Sequence, residues 1–326
     1  MKVAINGLGR IGRLVLKSGL EEGLNVVAVN DLTDIPTLAY LIKYDSVYGT
    51  YKEKVEAGKD FIKIGGKKIL VFAERDPEKL PWKALGIDIV VESTGFFTDR
   101  DGAGKHIKAG SKKVVISAPA KNPDVTIVRT VNEEMLKKEH QIISMASCTT
   151  NALAPVAKVL NDEFGITKGF MTTVHAYTAS QALVDRPDSK MRRGRAAALN
   201  IVPTTSGATD AVVEVIPALK GKMDGVSLRV PVPTGSIVDF VAEVQKPVDR
   251  NAVNAALKRA AEGKMKGVLG YTDDELVSTD IRGDTHSSLV DSQGTMVIGN
   301  MVKVLSWYDN EFGYAHRLAE FVKTIR

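Results

Sequence analysis

The chain has 326 residues, 44% of them apolar, 25% charged and 6% aromatic. That ordinary globular composition excludes disordered, collagen-like and coiled-coil proteins, and the length suggests about two domains. Its 44 Lys and Arg against 39 Asp and Glu leave a formal charge of +5, which suits phosphorylated ligands but is too small to diagnose nucleic-acid binding.

The longest apolar runs, such as 26–29 and 87–91, fall far short of the roughly 18 residues that cross a bilayer, so a membrane partner is not expected. Asn6, Gly7, Gly9 and Arg10 break up any secretory h-region. The single cysteine, Cys148, excludes an intrachain disulfide and any multi-cysteine metal site. A cytoplasmic location and no metal are therefore the expectations.

Along the first 150 residues, strand-length β-rich runs (2–6, 25–30, 69–72, 87–92, 113–117 and 141–146) alternate with helical patterns such as 11–20 and 35–41. Such alternation predicts an α/β unit, a parallel sheet with helices on its faces. After Cys148 the grammar changes. One helical pattern, 151–164, precedes longer strand-like runs at 169–177, 227–232 and 237–244, which predict a mixed or antiparallel sheet covered on one face. A last amphipathic segment, 310–325, reads as a closing helix that returns to the first domain.

Gly7, Gly9 and Gly12 form G-x-G-x-x-G directly after the first strand and before a helical pattern. In that setting the first glycine permits a tight turn, the second lets a pyrophosphate approach the backbone, and the third lets helix lie close to strand. Asp31 ends the next strand, 19 residues after Gly12, where a dinucleotide fold places the acid that binds ribose hydroxyls. A carboxylate there favours NAD over NADP.

Cys148 sits in Ser147-Cys148-Thr149-Thr150-Asn151, between a strand and a helix. The partial positive charge at a helix N-terminus stabilises a thiolate. A buried, inert cysteine is the bland alternative, against which its polar neighbours argue. Of the five histidines, His106 and His140 read as solvated helix or loop positions, His286 lies in a polar loop and His316 in the closing helix. His175 interrupts an apolar, β-branched strand. It is either the base for Cys148 or a satisfied core histidine, and spacing alone does not choose.

Strings matching one family run from end to end: 5–13, 41–48, 74–77, 92–95, 147–151, 173–178, 192–195 and 306–314. On them the chain resembles the phosphorylating glyceraldehyde-3-phosphate dehydrogenases. The resemblance implies a Rossmann-type NAD-binding domain over 1–147, completed by 311–326, and an α+β catalytic domain with a mixed, largely antiparallel sheet over 148–310. It implies that Cys148 attacks glyceraldehyde 3-phosphate to give a thiohemiacetal and that His175 takes the hydroxyl proton as hydride leaves. Inorganic phosphate then attacks the thioester to release 1,3-bisphosphoglycerate, reversibly, in glycolysis or gluconeogenesis.

By the same resemblance, Thr178 and Arg229 would hold the substrate phosphate, and Ser147, Thr149, Arg193, Ser206 and Gly207 the attacking one. Arg10 and Ile11 would bind the pyrophosphate, Asp31 the ribose and Arg75 the adenine side. Thr94 and Ser117 would line the cofactor site, Asn310 would fix the carboxamide, and Tyr314 would sit by the nicotinamide. A homotetramer is implied, with the 177–200 loop crossing between subunits.

Several positions depart from the family pattern. Ala152 stands where a second cysteine is usual, closing that disulfide route. Met145 replaces Asn, Thr130 a common Gly, Ser206 Thr and Asp210 Lys. Arg186 lies in the loop that in the family it resembles reaches a neighbouring subunit's cofactor ribose, where a cation could tolerate a 2′-phosphate against Asp31, so NAD is expected with NADP as a lesser cofactor.

Erythrose-4-phosphate dehydrogenase is the nearest alternative, and Thr178 with residues 203–207 speaks for the three-carbon substrate instead. A nucleic-acid-binding protein, argued from the basic runs 192–195 and 105–113, should interleave stacking aromatics, and here there are almost none. A thiol redox sensor would not need the histidine and the anion donors.

Overall fold

A computed structural model describes Met1–Ile325 and divides into two compact units. One comprises Met1–Ile127, Glu134–Ala146 and the chain from Ala315, the other Val128–Glu133 and Ser147–Tyr314.

In the first unit, β1 (Val3–Asn6), α1 (Arg10–Glu21), β2 (Val26–Asn30) and α2 (Ile35–Lys43) are followed by a short hairpin, β3 (Tyr44–Asp45) and β4 (Gly49–Thr50). Then come β5 (Val55–Ala57), β6 (Phe61–Ile64), β7 (Lys67–Phe72), α3 (Trp82–Leu85), β8 (Ile89–Glu92), α4 (Arg100–Lys108), β9 (Lys113–Ile116), β10 (Val125–Thr126) and β11 (Ile142–Ser144). Among the described residues they build a nine-stranded sheet in the order β10-β11-β9-β8-β1-β2-β7-β6-β5. Its strands are parallel from β10 to β7, as the alternation of strands and helices predicts, with β6 and β5 antiparallel at one edge.

The central strands β1 and β8 are buried at every residue, which is why they read as continuous apolar runs. The order reverses at β1, where β2 leaves to one side and β8 to the other. That switch point is where a doubly wound sheet opens a crevice at its carboxyl ends.

The second unit opens with α5 (Cys148–Phe164) and continues through β12 (Ile166–Ala176), β13 (Val202–Thr205), α6 (Ala208–Val215), β14 (Met223–Val230), β15 (Ser236–Val244), α7 (Arg250–Glu262), β16 (Leu269–Thr272), β17 (Ser288–Ile298) and β18 (Met301–Tyr308). The seven strands found among the described residues pair in the order β13-β14-β12-β15-β18-β17-β16. Only β12–β14 and β16–β17 are parallel. The observed class is the expected one: a Rossmann-like parallel sheet and a mixed, largely antiparallel one.

Helices α5 and α7 cover one face of the second sheet. The other carries Phe170, Val226, Met296, Ile298 and Met301, all exposed. The final helix, α8 (Phe312–Thr324), buries Ala315, Leu318, Ala319, Phe321 and Val322. Within the first unit, its His316 Nδ1 lies 2.9 Å from Ser18 Oγ.

Two expectations need correction. The helix after the cysteine begins at Cys148, three residues before 151, because Ser147 caps it with its hydroxyl accepting from the Thr150 amide at 3.0 Å. His106 is fully buried instead of solvated. It lies two positions before the close of a short, Lys-rich helix, and the charge of its neighbours hid an inward-facing side chain.

Candidate active site

In the first unit the glycine loop joins β1 to α1 at the switch point. Gly7 has φ +90°, and a Cβ there would fall 2.8 Å from the Thr94 amide nitrogen. A Cβ on Gly12 would lie 1.9 Å from the Gly7 carbonyl oxygen, so only glycine lets α1 start so close to β1. At Gly9, the N-cap of α1, a Cβ would meet nothing within 4 Å, and no side chain caps the helix. The backbone here faces open space, the setting in which a helix N-terminus can receive an anion.

Asp31, at the end of β2, accepts from the Leu8 amide at 2.7 Å and from the Thr33 amide at 2.9 Å. It thereby ties the glycine loop to the next strand. Arg10 pairs with Asp45 at 2.7 Å, leaving to its backbone, with that of Ile11, the expected pyrophosphate role. Exposed Arg75 follows β7, Thr94 follows β8 and Ser117 follows β9, whose amide donates to the Glu92 carbonyl at 2.9 Å. The expected cofactor residues of this unit thus gather at the carboxyl ends of neighbouring strands.

In the second unit, Cys148 is the first residue of α5 and His175 the penultimate residue of β12. Cys148 Sγ lies 3.5 Å from His175 Nε2. The opposite ring nitrogen, Nδ1, lies 2.6 Å from the Ala176 carbonyl oxygen and 2.7 Å from Arg229 Nη1. Arg229 arrives there because it is the registered partner of His175 on the adjacent parallel strand β14, and registered partners share a face. Beneath the pair, Tyr308 Oη joins Thr149 Oγ1 at 2.9 Å to Thr173 Oγ1 at 2.8 Å. Its ring meets His175 edge to face at 5.9 Å.

Burial pushes the Cys148 thiol up, while Arg229 and the hydrogen bonds of Thr149 and of its own amide pull it down. The residue as a whole keeps part of its surface open, although the thiol itself is enclosed enough for desolvation to dominate. His175 is pulled down to about 3, chiefly by burial and then by Arg229. Burial also pushes the Tyr308 and Tyr314 phenols up. The expected helix-end stabilisation of the thiolate is therefore opposed by desolvation, and His175 is held as a neutral imidazole.

Of the remaining expected residues of this unit, Arg193 is tied to that centre by its charge. Arg193 Nε donates to Thr204 Oγ1 at 2.9 Å, and its charge reaches both His175 and Arg229. Ser236 links the catalytic strand to Asn310, accepting from the Ala176 amide at 3.0 Å and donating to Asn310 Oδ1 at 2.7 Å. Thr178 and Ser206 bond locally, to Ser180 and to the Ala208 amide, and Gly207 caps α6. Arg186 is exposed. Arg229 Nε is buried without a hydrogen-bond partner among the described residues, a donor left for an anion.

Sequence reasoning missed Tyr308, Thr173 and Ser236. Tyr308 lies inside a matched string, and its place as the last residue of β18 was the available signal.

Among the described residues no group of three or more His, Cys, Asp or Glu is arranged to hold a metal, and no helix is long and apolar enough to cross a membrane.

Two family models match the chain: "Glyceraldehyde 3-phosphate dehydrogenase, NAD binding domain" over residues 1–100 and "Glyceraldehyde 3-phosphate dehydrogenase, C-terminal domain" over 147–310. The chain is 56% identical over 328 aligned positions to the glyceraldehyde-3-phosphate dehydrogenase of Geobacillus stearothermophilus, covering 100% of this chain and 98% of that protein. It is 55% identical over 328 positions to glyceraldehyde-3-phosphate dehydrogenase 1 of Bacillus subtilis, with the same coverage. To the Borreliella burgdorferi enzyme it is 52% identical over 333 positions, covering 100% and 99%.

Proposed function

The chain belongs to the glyceraldehyde-3-phosphate dehydrogenase family, and from that premise we propose that it oxidises glyceraldehyde 3-phosphate with NAD and inorganic phosphate, through a thioester on Cys148. The observation that carries this is Cys148 Sγ, at the N-terminus of α5, 3.5 Å from His175 Nε2.

The open backbone at Gly9, the uncapped start of α1 and the acid at Asp31 fit a dinucleotide. Gly7, Gly9, Gly12, Arg10 and Ile11 would hold its pyrophosphate, Asp31 the ribose, Arg75 the adenine side, and Thr94, Ser117, Asn310 and Tyr314 the remainder. When bound, NAD supplies the hydride acceptor. Asp31 speaks for NAD, and exposed Arg186 leaves NADP a secondary place.

The chain's own residues do the rest. The Cys148 thiol adds to the aldehyde carbon, its proton passing to His175 Nε2 and on to the new oxygen. His175 then removes the hydroxyl proton as the thioester forms. Arg229, with its unused Nε, and Thr178 would hold the substrate's phosphate. Ser147, Thr149, Arg193, Ser206 and Gly207 would hold the attacking one. Residues 1–147 with 311–326 would serve as the NAD-binding domain and 148–310 as the catalytic domain.

The uncovered apolar face of the second sheet supports assembly into a homotetramer, and the working compartment would be the cytoplasm. Purified protein should reduce NAD with glyceraldehyde 3-phosphate only when inorganic phosphate is present. Equal rates without phosphate would point to a hydrolytic aldehyde dehydrogenase, and faster turnover of erythrose 4-phosphate to the four-carbon substrate.

A further inference from the structure

The first unit buries a polar cluster that no step above uses. Asn30, Asn6 and Glu92 are registered neighbours on β2, β1 and β8, so their side chains stand in one row at the carboxyl ends of the strands. All three are buried, as are His106 and Trp82. Leaving a carboxylate in such a place is costly unless every lone pair is used.

Here they are used. Glu92 Oε2 accepts from Asn6 Nδ2 at 2.6 Å and from His106 Nε2 at 3.0 Å. Oε1 accepts from the Thr94 amide at 2.7 Å and the Thr94 hydroxyl at 2.5 Å. The His106 tautomer is dictated by Trp82. An indole N–H can only donate, and it lies 3.0 Å from His106 Nδ1, so the ring's hydrogen must sit on Nε2 and point at Glu92. On the other side, Asn30 Nδ2 donates to Asn6 Oδ1 at 2.7 Å and to the Glu74 carbonyl at 2.9 Å. Asn30 Oδ1 accepts from the Glu74 amide at 2.8 Å.

The chain of bonds therefore ends on two loops. One is the turn at Thr94, which packs against Gly7 of the glycine loop. The other is the segment that carries Arg75. A core of Leu or Val would be easier to bury, and it would leave both loops untethered.

We infer that Glu92 and His106 are positioning residues for the dinucleotide: their fully bonded pair fixes the Thr94 turn, and the Asn6–Asn30 amides fix the Glu74–Arg75 segment, before any ligand arrives. The inference rests on the reading of this crest as the NAD site. It adds that affinity is set from below, by ordering the loops in the free protein instead of at binding.

Calorimetric titration of NAD into wild type, Glu92→Gln, His106→Leu and His106→Gln tests it. Glu92→Gln places an amide where four donors converge, and His106→Leu removes both ring bonds; each is expected to weaken NAD binding at least tenfold. His106→Gln retains an acceptor for Trp82 and a donor for Glu92, and should stay within about threefold of wild type. Wild type that does not bind NAD would defeat the reading of the crest. Binding by folded Glu92→Gln and His106→Leu within twofold of wild type would defeat the inference alone.

Amide exchange in the wild-type protein decides the matter should the variants not fold. The Thr94 amide should be protected without NAD and gain little when NAD is added. Rapid exchange that slows only with NAD would overturn the inference.

Discussion

Arg229 Nη1 and the Ala176 carbonyl oxygen compete for one atom of His175, its Nδ1, from 2.7 Å and 2.6 Å. The guanidinium can only donate and the carbonyl can only accept, so a single state of Nδ1 cannot satisfy both. A phosphate that draws Arg229 toward itself would release Nδ1 to donate to Ala176 and leave Nε2 a lone pair facing the sulfur. Charge-assisted hydrogen bonds contribute about 1.5–3 kcal/mol. Arg229→Leu should thus raise KM for glyceraldehyde 3-phosphate by about ten- to a hundredfold, and change turnover of unphosphorylated glyceraldehyde far less. Equal losses with both substrates in steady-state kinetics would place Arg229 outside phosphate binding.

Removing the base should slow the chemical step. General acid–base catalysis contributes roughly 10²–10⁴-fold, so His175→Asn should lower kcat by about that factor with little change in NAD affinity. Cys148→Ser should abolish acyl transfer and also leave NAD binding intact. Stopped-flow turnover with calorimetric NAD titration separates the two effects. Unchanged turnover in Cys148→Ser would end the thioester mechanism.

Acid should destabilise the fold partly through His175. Its folded pKa, about 3, lies below the ordinary 6.5, so between those values the unfolded chain binds the proton that the folded chain refuses. The stabilisation is complete above about 6.5 and is lost as pH falls toward 3. Thermal melting between pH 7 and pH 4 should show a shallower fall for His175→Asn than for wild type. Parallel curves would mean that the ring accepts a proton in the folded protein.

The second and third glycines of the loop should fail in different ways. Gly12→Ala drives a methyl onto the Gly7 carbonyl and should destabilise the protein by about 1–3 kcal/mol, as overpacking does. Gly9→Ala meets nothing in the free protein, so its Tm should hold while NAD affinity falls at least tenfold. Melting curves and NAD titrations on both variants check this. A Gly9→Ala protein that binds NAD normally would move the pyrophosphate elsewhere.

Local pattern revealed the parallel sheet, the glycine loop and the acid at Asp31, because each is written over a few adjacent residues. Cys148 was legible as the one cysteine in a polar string. His175 was not resolved by spacing: what distinguishes it from a core histidine is Arg229 across the sheet and Cys148 on α5, both far away in sequence. Ser236 was invisible for the same reason, and Tyr308 was marked only by its place inside a matched string. His106 was misplaced because lysines on the exposed side of a nine-residue helix outweigh its two inward side chains, Ala103 and His106.

The first compact unit takes its final piece from the chain after Ala315, although most of it precedes residue 147. On the ribosome, the part made first must therefore wait, unfinished, through the synthesis of everything between. A nascent chain arrested before residue 315 would leave exposed the surface that Leu318, Phe321 and Val322 normally seal, a hazard that falls on chaperones until translation ends.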